Sequence, residues 1–166
     1  PIKRINMFSV HDLPTIKQDG GTKGYFKADD GARIRYAHFP ATVDPTIGTV
    51  VLVTGRTQFI EVYLETIHNF RKRGFQVWAM DWRGQGLSDG RVKGDRHKGH
   101  IDSFDRYISD LHLFRTKVVR HGLGKAILVS QSMGGGVSLR YLIEKPGHFD
   151  LAILGAPLVE LAAANW

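Results

Sequence analysis

The chain has no cysteine, so neither a disulfide framework nor a thiolate metal site is available to it. No apolar run approaches the roughly 20 residues that a membrane-spanning helix needs, and no signal-peptide pattern opens the chain, which begins on Pro1. Nucleotide-binding signatures are missing too. The glycine run Gly134–Gly136 leads into Val137-Ser138, with no lysine to complete a phosphate loop. Gly84-Gln85-Gly86 is followed by Asp89 where a dinucleotide fingerprint needs its third glycine. His97 and His100 lie near Asp95 and Asp102, but on a loop and without the helical spacing that would aim two histidines at one metal. These absences predict a protein without metal or cofactor. Acidic residues are the minority, 16 against 23 basic, giving a net charge of +7. That balance favours anionic partners, but the basic residues are spread along the chain apart from Arg91–His100, RVKGDRHKGH, which reads as a solvated loop. A nucleic-acid role is not expected.

What is present is ordered around Ala126–Val137, AILVSQSMGGGV. Ala126–Val129 is a short apolar run of the kind a strand buried on both faces carries. Val137, Leu139, Leu142 and Ile143 then recur at helical spacing. A strand enters, a tight turn forms at Ser132, and a helix leaves. This is the layout of a nucleophile elbow, in which a serine hydroxyl is exposed on a strained strand-to-helix turn. The positions two before and two after must be small, because backbone passes close by. They are Ser130 and Gly134, so the pattern reads S-x-S-x-G where G-x-S-x-G is usual. Ser132 is the expected nucleophile. A small-residue turn without catalysis is the competing reading. Three glycines at a helix start would each cost about 1 kcal/mol relative to alanine, so close helix-on-sheet packing or an open backbone N–H must compensate.

Elsewhere the pattern alternates. Residues 1 to 22 read as an arm. Gly24–Lys27 and Arg33–Phe39 flank the turn Asp29-Asp30-Gly31 and predict an antiparallel hairpin. Thr49–Val53 is a buried strand, Phe59–Arg73 a helix closed by Gly74, and Phe75–Met80 another buried strand. Trp82–Gly90, WRGQGLSDG, is a glycine-rich loop. Asp102 or Ser103 caps a helix that runs toward Gly122. After the elbow helix, to about Lys145, Leu151–Leu154 is a further buried strand. Strand and helix in alternation predict a mostly parallel, doubly wound α/β sheet. Functional loops of such sheets lie outside the carboxyl ends of the strands, which brings Thr54–Phe59, Trp82–His100 and Ser132 to one edge.

Four blocks in order, LVTGR (Leu52–Arg56), MDWRGQGLSDG (Met80–Gly90), KGHIDSFDRYISDL (Lys98–Leu111) and SQSMGGGVSL (Ser130–Leu139), together resemble the α/β-hydrolase family. The resemblance covers roughly residues 24 to 160 and is greatest to its lysophospholipase and monoacylglycerol-lipase branch, lysophospholipase L2-like members above all. It implies an α/β-hydrolase fold with an N-terminal hairpin, incomplete at its C-terminus: an arm over 1–22, the N-terminal part of the hydrolase domain over 23–160, and the start of a lid over 161–166. It implies Ser132 as nucleophile, the backbone N–H groups of Arg56 and Met133 as oxyanion hole, Ser130 and Gly134 as elbow support, and Trp82–Gly90 as a structural wall. Many relatives have His-Gly where this chain has Thr54-Gly55, a difference the backbone donor does not feel.

The triad order in this fold is serine, acid, histidine. Only His148 follows Ser132, beyond a helix of about thirteen residues, or roughly 20 Å at 1.5 Å per residue. It cannot be the base. His97 and His100 precede the serine, and Glu160 would be an acid only in a variant layout. The resemblance therefore implies that acid and histidine lie beyond Trp166 and that this is part of a longer enzyme. Two functions follow: a serine hydrolase of carboxylic esters, with a lipid-like monoacyl substrate, cytoplasmic and in peripheral contact with anionic lipid; or a non-catalytic α/β-hydrolase-fold binding protein.

Overall fold

A computed structural model describes residues 15–90, 92, 94, 100–120, 122 and 124–160. Six strands form one sheet: β1 (Thr22–Lys27), β2 (Arg33–Phe39), β3 (Gly48–Val53), β4 (Phe75–Met80), β5 (Lys125–Gln131) and β6 (Leu151–Gly155). Their order across it is β1-β2-β4-β3-β5-β6. β1 and β2 make the expected antiparallel hairpin, and β2 runs antiparallel to β4. β4, β3, β5 and β6 are mutually parallel. The antiparallel hairpin on a parallel sheet is the α/β-hydrolase architecture.

Among the described residues three α-helices cover the sheet: α1 (Leu64–Lys72), α2 (Asp105–Leu113) and α3 (Met133–Glu144). The uniformly apolar β3 faces helices on both sides. Val50 and Leu52 pack with Val77, Ala79 and Ile127 beneath Ile60, Leu64 and Ile67 of the α1 layer. Val51 and Val53 pack with Trp78, Met80 and Leu128 beneath α2 and α3, which contribute Ile108, Leu111, Met133, Val137 and Tyr141. Continuous apolar strands are what two covered faces require. Residues 15–21, within the expected arm, are not merely a lead-in: Ile16 is buried beside Phe39.

Helix bounds differ from the periodicity in two places. The segment expected to be helical from Phe59 is extended at Phe59 and enters through a 3-10 turn, Ile60–Tyr63. The Ile60 N–H, an orphan at that start, donates to the Asp81 carboxylate at 2.9 Å. α2 stops at Leu113 and widens into a π-type turn over Phe114–Val118, where buried Arg115 donates to the His148 carbonyl. At its start the Ser103 hydroxyl accepts the Asp105 N–H at 3.1 Å, while Asp102 pairs with Arg106.

Register brings the strand ends together. Val53 stands opposite Met80 on one side and Ser130 on the other. The chain leaves β3 for β4 in one direction and returns from β4 to β5 in the other, so the connection reverses between β3 and β5. A crevice opens outside the strand ends at such a reversal, and there Thr54-Gly55-Arg56 meets Ser132.

Candidate active site

Ser132 sits between the end of β5 and the start of α3 with φ 53° and ψ −122°. That is a left-handed conformation which costs a non-glycine residue about 1–3 kcal/mol. The surrounding backbone holds it. Its N–H donates to the Gly155 carbonyl at 2.9 Å, and its own carbonyl accepts the N–H of Leu158 at 2.9 Å and of Gly136 at 3.1 Å. The segment after β6 thus clamps the turn, a contribution that no local pattern around Ser132 announces.

Close packing explains the three glycines. A Cβ on Gly134 would lie 2.3 Å from the Thr54 carbonyl oxygen, one on Gly135 2.8 Å from Pro157 Cα, and one on Gly136 2.1 Å from the Leu158 carbonyl oxygen. The elbow helix lies directly against backbone from two other loops. Ser130, two residues before Ser132, is buried on β5, and its hydroxyl has no hydrogen-bond partner among the described residues.

The loop after β3 comes up against the serine. A Cβ on Gly55 would be 3.2 Å from Ser132 Cβ. The Gly55 N–H donates to Gln58 Oε1 at 2.9 Å, and the Tyr63 hydroxyl lies 2.6 Å from the same oxygen and in hydrogen-bond contact with the Gln131 side-chain amide. Burial pushes the Tyr63 phenol upward from its ordinary pKa, opposed by the Gly55 backbone. Arg56 follows with an exposed side chain, and Met133, the first residue of α3, has a buried one. Among the described residues, neither the Arg56 N–H nor the Met133 N–H donates to another protein group.

Trp82–Gly90 is fixed from below. The Trp82 indole is fully buried and donates to the Thr54 carbonyl at 2.7 Å. Gln85 accepts the Thr57 N–H. Asp81, at the end of β4, accepts from Arg35 Nε at 2.7 Å and from the backbone N–H groups of Ile60 and Leu87, both at 2.9 Å. Arg35 also pairs with Glu61 at 2.6 Å. Burial pushes the Asp81 carboxyl upward, opposed by the Arg35 charge and these N–H groups. The pair is almost wholly buried, and removing one partner of such a pair typically costs about 3–5 kcal/mol. Arg83 donates to Asp110 and Asp30 at 2.7 Å each, which holds the Asp30 carboxyl down at about 2.

Asp81, Arg35, Gln58 and Tyr63 were not singled out from sequence. A visible signal existed for the first two, an acid ending a buried strand and an arginine inside a hairpin strand. The glutamine and tyrosine had none.

Not all expected groups converge here. His148 packs against His112 and Tyr141 beyond the carboxyl end of α3, the end away from Ser132. His100 is exposed, and His97 and Asp95 lie outside the described residues. Glu160 is exposed past β6. Among the described residues no histidine hydrogen-bonds to the Ser132 hydroxyl. What the described residues bring together is a strained, half-buried Ser132 at the start of α3 and the Gly55 backbone packed against it.

Comparison with known proteins bears on the family and the fold. Residues 44–166 match the family described as Hydrolase_4, serine aminopeptidase S33. The chain is 34% identical over 134 residues to lysophospholipase L2 of Escherichia coli K12, covering 80% of this chain and 38% of that protein. It is 30% identical over 138 residues to monoacylglycerol lipase of Mycolicibacterium smegmatis, covering 81% of this chain and 46% of that one. The α/β-hydrolase GrgF from Penicillium superposes with a TM-score of 0.66 at 26% identity, over 83% of this chain and 46% of GrgF. The chain therefore spans about two-fifths of the length of these curated relatives. By family match and by fold, it belongs to the Hydrolase_4 (serine aminopeptidase S33) family of α/β-hydrolases.

Proposed function

We propose that the whole protein is a serine hydrolase of carboxylic esters with lipid-like monoacyl substrates, acting through an acyl-enzyme on Ser132. The observation that carries this is the Ser132 backbone, held at φ 53° between β5 and α3, beside the Arg56 and Met133 N–H groups. In the reaction the Ser132 oxygen attacks the acyl carbon and a base accepts its proton. The carbonyl oxygen takes up the charge facing the two N–H donors, each worth about 3–4 kcal/mol. Collapse expels the alcohol, which regains a proton, and water then releases the acid by the same steps.

The acid and histidine are proposed to lie beyond Trp166. In support, Ser132 has no histidine partner among the described residues, and the relatives are more than twice as long as the matched segment. The names of those relatives, lysophospholipase L2 and monoacylglycerol lipase, support a monoacyl lipid as substrate. Among the described residues no helix is long and apolar enough to cross a membrane.

The test is hydrolysis of a monoacylglycerol and of a lysophospholipid by the whole protein and by its Ser132→Ala variant. Turnover lost in the variant is the expected result. Folded protein that turns over neither ester nor any activated one points instead to a binding role.

A further inference from the structure

The three side chains Gln58, Tyr63 and Gln131 connect the two halves of the proposed oxyanion site. Gln131 directly precedes Ser132, and Gly55 directly precedes Arg56. Between them run the Gly55 N–H to Gln58 Oε1 bond at 2.9 Å, the Tyr63 hydroxyl to Gln58 Oε1 bond at 2.6 Å and the contact of that hydroxyl with the Gln131 amide. The proton count is restrictive. A phenol has one proton, so it can serve only one of the two glutamine oxygens. Gly55 fixes the Gln58 oxygen as an acceptor, because a backbone N–H can only donate to it. Tyr63 therefore gives its proton to Gln58. The Gln131 atom against the phenol is Oε1, and since no second phenolic proton exists the Gln131 amide is assigned in the flipped sense, its NH₂ toward the phenolic oxygen. The resulting chain is continuous: Gln131 donates to Tyr63, Tyr63 to Gln58, and Gly55 also to Gln58.

The same two loops also meet through backbone, where Val53 stands opposite Ser130 and Gly134 packs on the Thr54 carbonyl. Gly55 approaches Ser132 closely, and Thr57 holds a positive φ of 63° in a loop tied internally by the Gln58 N–H to Gly55 carbonyl bond at 3.4 Å. The Gln58 oxygen takes the Gly55 N–H, and the next donor along, the Arg56 N–H, makes no hydrogen bond among the described residues.

We infer that Tyr63 is a positioning residue for the ester-hydrolysis reaction: through Gln58 and Gln131 its hydroxyl sets the distance between the Arg56 donor and the Ser132 oxygen. This rests on the reading of Ser132 as nucleophile and Arg56 N–H as oxyanion donor. The hydroxyl touches neither substrate nor reacting atoms. Its loss should weaken binding of the tetrahedral state and leave ground-state binding alone.

The experiment uses the whole protein with Tyr63→Phe, Gln58→Leu, the double variant and Ser132→Ala. Steady-state constants for an ester are measured beside inhibition by an acyl trifluoromethyl ketone, which adds to the serine as an oxyanion. The expected result for Tyr63→Phe is kcat lower by about tenfold and ketone affinity lower by a similar factor. KM should stay within about twofold and the melting temperature within about 2 °C. The double variant should be no worse than Gln58→Leu alone, since both changes break one chain. Tyr63→Phe with unchanged kcat and ketone affinity, while Ser132→Ala is inactive, overturns the inference alone. So do multiplicative losses in the double variant, or a loss confined to KM and melting temperature. Turnover that survives Ser132→Ala overturns both this inference and the reading beneath it.

Discussion

Gly134 is where the elbow is least forgiving. Adding even a methyl group puts carbon 2.3 Å from the Thr54 carbonyl oxygen and 3.2 Å from that of Val53. Ordinary contact begins near 3.4 Å, so α3 and the end of β3 must separate by roughly 1 Å. Neither neighbour is a flexible side-chain end that could swing away. Both are backbone, and the Thr54 carbonyl also receives the Trp82 indole N–H. Forced overpacking of this kind costs about 1–3 kcal/mol. Gly134→Ala, close to backbone on one side only, should therefore lose about 2–3 kcal/mol, and Gly134→Val several. The gain in helix propensity from glycine to alanine, about 1 kcal/mol, works against the loss and is included in that figure. At about 2–4 °C per kcal/mol for a chain of this size, Gly134→Ala should melt roughly 5–10 °C lower. The same separation carries Arg56 away from Ser132, so reaction with a fluorophosphonate should slow more than stability alone explains. The assays are urea titration and labelling rate, measured on glycine, alanine and valine side by side. Gly134→Val with unchanged midpoint and unchanged labelling would falsify the packing argument.

Ser130→Ala should be neutral or more stable by up to about 1 kcal/mol, because it removes a buried hydroxyl with no partner among the described residues; a clear loss in chemical denaturation would show that the hydroxyl is bonded. Asp30 has its pKa lowered from 3.8 to about 2, chiefly by its hydrogen bond from Arg83. Its stabilising contribution is therefore complete above pH 4 and fades as pH falls through 2. With the carboxyl about a third exposed, that contribution is about 1 kcal/mol after discounting for solvent. Asp30→Asn should narrow the gap in melting temperature between pH 6 and pH 2.5, and an unaltered gap would refute the assignment. The 166-residue chain alone should show almost no steady-state esterase activity, because no histidine hydrogen-bonds to the Ser132 hydroxyl among the described residues. A serine hydrolase stripped of its triad keeps only roughly 10³–10⁴ over the water reaction. Ser132-dependent turnover near 10 s⁻¹, typical of enzymes generally, would require a base within these residues, and His100 would be the first to replace.

Much of the scaffold was legible because its causes are local. Thr49–Val53 and Phe75–Met80 are largely apolar because they pack on both faces, with Thr49 and Gln76 hydrogen-bonded to each other at 2.9 Å, and that composition shows in the chain itself. The S-x-S-x-G turn shows because a strained serine needs small neighbours in sequence. Less visible were features whose cause is distant. The helical segment expected from Phe59 begins instead with a 3-10 turn at Ile60, whose N–H goes to a carboxylate twenty-one positions later. Asp81 and Arg35 form one buried pair through the antiparallel register of β2 on β4, and no spacing rule links positions 35 and 81. The glycine run demanded compensation, and its source for Gly135 and Gly136 is Pro157 and Leu158, beyond the next strand. Nothing around Tyr63 in the chain marks it out, since its hydroxyl partner Gln131 is sixty-eight positions away and is brought near by the fold.

The most direct test of the account is to treat the whole protein with a fluorophosphonate and map the adduct by tandem mass spectrometry. The account predicts stoichiometric modification of the Ser132 hydroxyl, absent after denaturation and absent in Ser132→Ala. Folded protein left unmodified, or an adduct on another serine with Ser132 bare, would contradict it.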